Sequence, residues 1–378
     1  MFRALCFVAA LGFAGGAFAQ AAAASIPSPA LEAKSYVLLD LNSGQEIVGV
    51  NAGERRDPAS LTKLMTAYLA FAALREKRIT PSQPVKVTER AWRAEGSRMF
   101  IEPKRAVSVD ELLRGMIVQS GNDAAVALAE LVGGSEEAFA AQMNQQAARL
   151  GLKGSRFVNA TGLSHPEHYS TAQDLAQLAA AIIRDFPEFY PLYAQREYRY
   201  NNVTQYNRNR LLWSDPSVDG MKTGFTEAAG YNLVSSAKRE GRRLLAVVLG
   251  TGSEKSRLAE SQKLLNFGFQ FYEATRLYEK NQPVATLAVW KGAAREVKGG
   301  FNSDVFLTLP RGMRDKLKVS LEKAEPLSAP IAAGQRIGTV KVALEGRPLA
   351  EFPLLALEAV ELGSWFSRQW DAARLWFR

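Results

Sequence analysis

The sequence predicts an α/β (α+β) domain, followed by a small all-β domain and a terminal amphipathic helix. Three observations predict it. Apolar residues at helical spacing recur through 61–183, between strand-like hairpin patterns at 35–50 and 231–250. Beyond Tyr278 the texture turns to short alternating runs broken by Gly, Pro and Asn. At the end, Leu362, Trp365, Phe366, Trp370, Ala373, Trp376 and Phe377 share one helical face, with Gln369 intruding. A chain of 378 residues, 47% hydrophobic and 22% charged, is long enough for two domains or one large one and can bury a real core.

The start reads as an export signal over residues 1–19. Arg3 supplies positive charge, 4–18 an apolar run, and Ala17-Phe18-Ala19 an A-x-A cleavage site, so the mature chain is expected to begin near Gln20. Cys6, the single cysteine, lies inside this signal, and the exported fold is expected to rest on packing without disulfides. The net charge of +9 is spread along the chain and forms no basic stripe interleaved with aromatics. That argues against nucleic acid as a partner and for an anionic membrane or wall polymer.

A small-residue linker at 20–33 leads to a domain expected over 34–277. Strands at 35–40 and 46–50 flank the Asn42-Ser43-Gly44 turn. Asp57-Pro58-Ala59 precedes the apolar run 61–74, and a proline there marks a helix start. Short strands and loops follow at 85–105, then helices at 109–118, 124–131, 136–150 and 171–183. A polar hairpin turns at Asn201-Asn202, strands at 231–238 and 243–250 form another, and a helix at 256–272 closes the domain. The 278–356 domain carries strand-like runs at 284–290, 304–309, 317–322 and 337–344, with no internal repeat. In the 357–378 region, the charges rule out a spanning helix, which needs about 20 mainly apolar residues. Aromatics on one side and arginines on the other, across residues 362–378, describe a helix lying flat on a membrane surface. The alternative is a last helix docked on the protein.

Chemistry concentrates at Ser60-Leu61-Thr62-Lys63. A serine hydroxyl needs a neighbouring base, and residues three apart share a helix face. A helix's first turn also favours developing negative charge. The same spacing recurs at Ser235…Lys238 and Ser320…Lys323, but in strand-like sequence, where residues three apart point to opposite faces. The pattern at Ser60 is equally that of an ordinary helix start. Gln119-Ser120-Gly121-Asn122-Asp123 joins two helices, either as a capping turn or with Ser120 and Asn122 facing a cleft. Lys222-Thr223-Gly224 falls on a strand, where Gly224 lets another backbone or a ligand approach closely. His165 and His168 have no further ligand cluster beside them, which favours a structural role, and no metal or other cofactor is expected.

The order Ser60…Lys63, Ser120-x-Asn122, Lys222-Thr223-Gly224 is that of the penicillin-recognising serine enzymes. With 119–123 (QSGND), His168-Tyr169-Ser170, Asn207-Arg208-Asn209 and 218–224 (VDGMKTG), the chain resembles the low-molecular-mass penicillin-binding proteins that act as D-alanyl-D-alanine carboxypeptidases. The resemblance spans nearly the whole mature chain and implies an antiparallel sheet flanked by helices, with the site between the sheet edge and an all-helical lobe. It implies that Ser60 attacks the bond between the two terminal D-alanines of a peptidoglycan stem peptide, with Lys63 as general base. Ser120 and Lys222 would pass the proton to the departing D-alanine, and Asn122 would hold the peptide amide. Thr223 and Arg208 would take the terminal carboxylate, and the backbone N–H groups of Ser60 and Phe225 the oxyanion, with Gly224 beside them. β-Lactams would be inhibitors, and the enzyme would sit at the periplasmic face of the cytoplasmic membrane. Phe225 departs from relatives that carry histidine after Lys-Thr-Gly, which implies altered substrate preference. A depressed Lys63 pKa is expected from burial beside cationic Lys222. Three rivals stand beside this reading: a β-lactamase using Glu197 and Asn201, a D,D-endopeptidase cutting crosslinks, and a non-catalytic wall-binding protein.

Overall fold

The computed structural model describes residues 26–376; the stretch expected to be an export signal lies outside them, as do Phe377 and Arg378. The first domain is built on a five-stranded sheet in the order Glu46–Val50, Ser35–Asp40, Arg242–Thr251, Gly230–Arg239, Val218–Thr226, with every neighbour antiparallel. The central strand shows why the sheet is covered on both faces. Leu245, Val247 and Leu249 point into the core of the helical lobe, while Leu244, Ala246 and Val248 point into a second core. That second core is completed by Leu264, Leu265 and Phe269 of the helix Glu254–Phe271. A continuous apolar run is what a strand buried on both faces requires.

The lobe is assembled around the helix Lys63–Arg75, buried along most of its length. Its neighbours start where side chains can cap them. Ser108 and Glu111 form a reciprocal capping box for Val109–Val118, and Thr171 caps Ala172–Asp185 through the Asp174 N–H. Asn122–Gly133 begins earlier than the apolar spacing suggests, because Asp123 anchors its first turn by accepting from Met99, Phe100, Ile101 and Ala124 N–H groups. Within the stretch read as strands and loops, Glu89–Trp92 is a helical turn. The expected polar hairpin is present as Glu197–Tyr200 against Val203–Tyr206. The described part of the 20–33 stretch lies on the domain, with Ile26 and Leu31 against the second core.

The C-terminal part is all-β. Five strands run in the order Ala285–Ala288, Glu296–Gly300, Arg347–Ala356, Arg336–Leu344, Leu317–Lys323, and Tyr272–Tyr278 pairs separately with Val305–Pro310. Tyr272–Tyr278 follows the helix Glu254–Phe271 without a break, upstream of the change in texture at Tyr278. Arg347–Ala356 was invisible to pattern because Pro348 and Pro353 interrupt it, and Glu296–Gly300 because it ends in two glycines. The two parts meet through polar contacts: Ser43 Oγ lies 2.6 Å from Thr308 Oγ1, and Gln45 Oε1 accepts from Thr308 N–H at 2.6 Å.

The terminal helix Trp365–Trp376 docks by its polar side. Asp371 is fully buried, accepts from Lys291 N–H at 2.7 Å and pairs with Arg295 at 2.9 Å. Trp365, Phe366, Trp370 and Trp376 are 60–86% exposed. Among the described residues, no helix is long and apolar enough to cross a membrane. Because Leu245 is wholly buried in the larger core, Leu245→Ala is expected to cost about 2–5 kcal/mol. Denaturant unfolding of the purified chain measures it.

Candidate active site

Sheet and lobe meet at the turn carrying Ser60. Pro58 leads into a 3-10 turn, Ala59–Thr62, and the α-helix starts at Lys63. In a 3-10 turn residues three apart eclipse, and Lys63 Nζ lies 3.1 Å from Ser60 Oγ. The turn holds Ala59 at φ +48°, a left-handed conformation that costs a non-glycine residue about 1–3 kcal/mol. Two close approaches clasp it. A Cβ on Gly162 would fall 1.8 Å from Ala59 O, and one on Gly224 2.9 Å from Pro58 O. The backbone that Gly224 admits is therefore the turn that carries Ser60.

Lys63 is buried, and its amine also lies 2.6 Å from Asn122 Oδ1 and 2.6 Å from Thr161 O. Asn122 is held in that orientation by donating from Nδ2 to Glu95 O at 2.5 Å. Both carbonyl oxygens accept and cannot donate. A neutral amine gives its two N–H groups to them and turns its lone pair to the Ser60 hydroxyl. Burial disfavours the ammonium, the Arg208 charge adds to this, and Asp123 opposes; the pKa comes down to about 7. The neighbouring cation that matters is Arg208, where the sequence pointed to Lys222.

Lys222 makes the second amine–hydroxyl pair, donating to Ser120 Oγ and to Thr223 O, each at 2.9 Å. It too is held well below the usual lysine value, by burial and then by the charges of Lys63, Arg208 and Arg257. Ser120 sits in the link between helices at φ +66°. Asn122 is the first helical residue after that link.

Ser60, Ser120, Asn122, Arg208, Thr223, Gly224 and Phe225 line one cleft of about 590 Å³. Lys63 and Lys222 lie buried behind Ser60 and Ser120. The sequence-predicted residues thus converge. No hydrogen-bond partner for the Arg208 guanidinium is present among the described residues, which leaves it available to an anion. Pattern missed Thr161, which acts through its backbone oxygen, and Arg257 with Glu254, which reach the cleft from the helix Glu254–Phe271. Neither kind of contribution leaves a motif. Phe225 is 44% exposed, with its ring 4.4 Å from that of Tyr231. Glu197 and Asn201 are not in the cleft; Asn201 bonds Arg105 and Glu102 at the tip of its hairpin. The β-lactamase reading therefore has no geometric footing.

The sequence model described as D-alanyl-D-alanine carboxypeptidase, peptidase S11, matches residues 20–253, more than half of the chain. The chain belongs to this family. By family it is a serine-type D-alanyl-D-alanine carboxypeptidase, a hydrolase. Residues 272–362 match the C-terminal domain of penicillin-binding protein 5. The D-alanyl-D-alanine carboxypeptidase DacC of Escherichia coli (strain K12) is 42% identical over 97% of this chain and 93% of its own length. DacF of Bacillus subtilis (strain 168) is 39% identical, over 92% and 91%. Among solved structures, penicillin-binding protein 5 from Haemophilus influenzae superimposes with a TM-score of 0.86 at 41% identity, covering 89% of this chain and all of that one. The ampicillin-bound penicillin-binding protein D2 from Listeria monocytogenes gives 0.60 at 31% identity, covering 65% of this chain and 100% of that one.

His168 supports the family's serine turn from beneath. Its Nδ1 accepts from Val158 N–H at 3.1 Å, so Nε2 carries the proton and donates to Thr62 Oγ1 at 2.7 Å. The ring is therefore neutral, and burial pushes its pKa down to about 4. An unfolded histidine titrates near 6.5, so below that pH the unfolded chain binds the extra proton. Stability is expected to fall as pH drops from about 6.5 to 4, by up to about 3 kcal/mol from this residue. Denaturant unfolding against pH measures the slope, and His168→Gln is expected to flatten it.

Proposed function

We propose that Ser60 is the nucleophile that removes the terminal D-alanine from peptidoglycan pentapeptides through an acyl-enzyme. The observation that carries this reading is the buried Lys63 amine, 3.1 Å from Ser60 Oγ, with the carbonyl oxygens of Asn122 and Thr161 as its other partners. As the Ser60 oxygen bonds the carbonyl carbon, Lys63 takes the hydroxyl proton. Ser120, backed by Lys222, relays that proton from Lys63 to the departing amine of D-alanine. Asn122 holds the peptide amide, and Arg208 with Thr223 holds the terminal carboxylate, a task suited to a planar guanidinium. The backbone N–H groups of Ser60 and Phe225, with Gly224 between the Phe225 amide and Thr223, receive the oxyanion, at about 3 kcal/mol per donor. Water then cleaves the ester and frees Ser60. β-Lactams acylate the same hydroxyl; the ampicillin- and cefotaxime-bound relatives support this. Phe225, exposed against Tyr231, tunes substrate preference.

The same reading puts the enzyme, after export, at the periplasmic face of the cytoplasmic membrane, held peripherally by the terminal helix. The outward aromatic face of Trp365–Trp376 supports it.

Ser60→Ala is expected to lower D-alanine release from a pentapeptide by at least about 10³-fold, and to abolish labelling by penicillin in a folded protein. Release from crosslinked dimers but not monomers would transfer the reading to a D,D-endopeptidase. Because neutral Lys63 is the active form, kcat/KM is expected to rise with pH through about 7. Arg208→Ala is expected to move that limb to higher pH, since a repelling charge is removed. Truncation after Gly363 is expected to release active soluble enzyme; unchanged sedimentation with membranes overturns the anchoring.

A further inference from the structure

We propose that Asp57 is a positioning residue for the nucleophile, its carboxylate tying two walls of the cleft to the Ser60 turn. This rests on the serine reading and deepens it. Asp57 Oδ1 accepts from Ala59 N–H at 2.7 Å. Oδ2 accepts from the hydroxyl of Ser164 at 2.5 Å and from that of Thr226 at 3.0 Å. Asp57 O accepts from Asn232 Nδ2 at 3.3 Å, which ties the same residue to the strand Gly230–Arg239.

Each bond lands on a segment that shapes the Ser60 turn. Ala59 is the residue held left-handed immediately before the nucleophile. Ser164 follows Gly162, whose backbone closes on Ala59 O, and Thr226 follows Gly224, whose backbone closes on Pro58 O. One carboxylate thus caps the strained residue and draws in both segments that clasp it. Without it, Ala59 is free to relax toward an ordinary backbone, and Ser60 Oγ swings off the Lys63 lone pair. A misplacement of about 1 Å at a reacting atom is enough for about a 10²-fold loss.

The test compares Asp57→Ala and Asp57→Asn in the full chain, measuring acylation by labelled penicillin, kcat and KM for a pentapeptide, and thermal midpoints. Asparagine keeps an oxygen for Ala59 N–H, and its amide donates to the two hydroxyls. Asp57→Ala is expected to lower acylation and kcat by about 10²-fold with KM little changed, and Asp57→Asn to recover most of the loss. Acylation by Asp57→Ala at the wild-type rate overturns the proposal, as does an Asp57→Asn variant no better than alanine. Should Asp57→Ala not fold, Ser164→Ala with Thr226→Val removes only the Oδ2 partners; slowed acylation supports the proposal and an unchanged rate overturns it. Failure of the serine reading looks different: the wild-type protein would carry no penicillin on Ser60.

Discussion

A buried amine with no acid to pair with gives up its proton far more readily than a free lysine, and the site is organised around that constraint. The Asp123 charge acts on Lys63, but its oxygens are occupied by the N–H groups of Met99, Phe100, Ile101 and Ala124. Lys63 meets only carbonyl oxygens and one hydroxyl. The contributors come from different places: Ser60 from the 3-10 turn, Asn122 from the lobe, Thr161 from a loop, and the Arg208 charge from beyond the polar hairpin. Each alone is an ordinary polar group. Their convergence on a buried amine brings its pKa down to about 7.

Convergence of this kind needs a mount that does not give. The edge strand Val218–Thr226, which carries Lys222, is pinned near its start by Asp219. Both Asp219 oxygens receive Arg243 at 2.7 Å, and Tyr190 donates its hydroxyl to the same carboxylate. Arg243 also donates to Ser236 at 2.6 Å, so the contact runs across three neighbouring strands. Beneath it, the central strand divides its side chains between two cores. A shift of the edge strand would disturb packing on both sides of the sheet. That coupling lets two lysines on separate elements hold their spacing.

The helices of the lobe were legible because their apolar faces and caps are local. Val109–Val118 begins and ends where spacing places it, and Thr171 caps as its type suggests. The candidate residues were legible through order: hydroxyl and amine three apart, then serine and asparagine two apart, then lysine beside a small-residue approach. The illegible parts are nonlocal. Arg347–Ala356 is a strand because its neighbours pair with it, in spite of two prolines. Thr161 matters for a carbonyl that every residue has. Ala59 looks like any alanine, and only the backbones of Gly162 and Gly224 pressed against its turn show why it is small. Asp57 reads as a helix start because its long-range partners, Ser164, Thr226 and Asn232, are far along the chain.

The terminal helix inverts the usual preference, and the energetics say why. Fully covering a large apolar side chain is worth about 1.5–3 kcal/mol, so several covered together outweigh one ion pair whose arginine is largely exposed, about 1 kcal/mol. A groove on the all-β domain able to take Trp365, Phe366 and Trp370 would therefore turn the helix over and leave Asp371 outside. The helix instead keeps Asp371 on Arg295 and Lys291. The apolar side chains of the domain, Leu307, Ile337, Val342 and Leu354 among them, are already committed to its own core. The polar clamp fixes the helix with Trp365, Phe366 and Trp370 exposed among the described residues, an arrangement whose chemistry matches the lipid interface proposed for this helix.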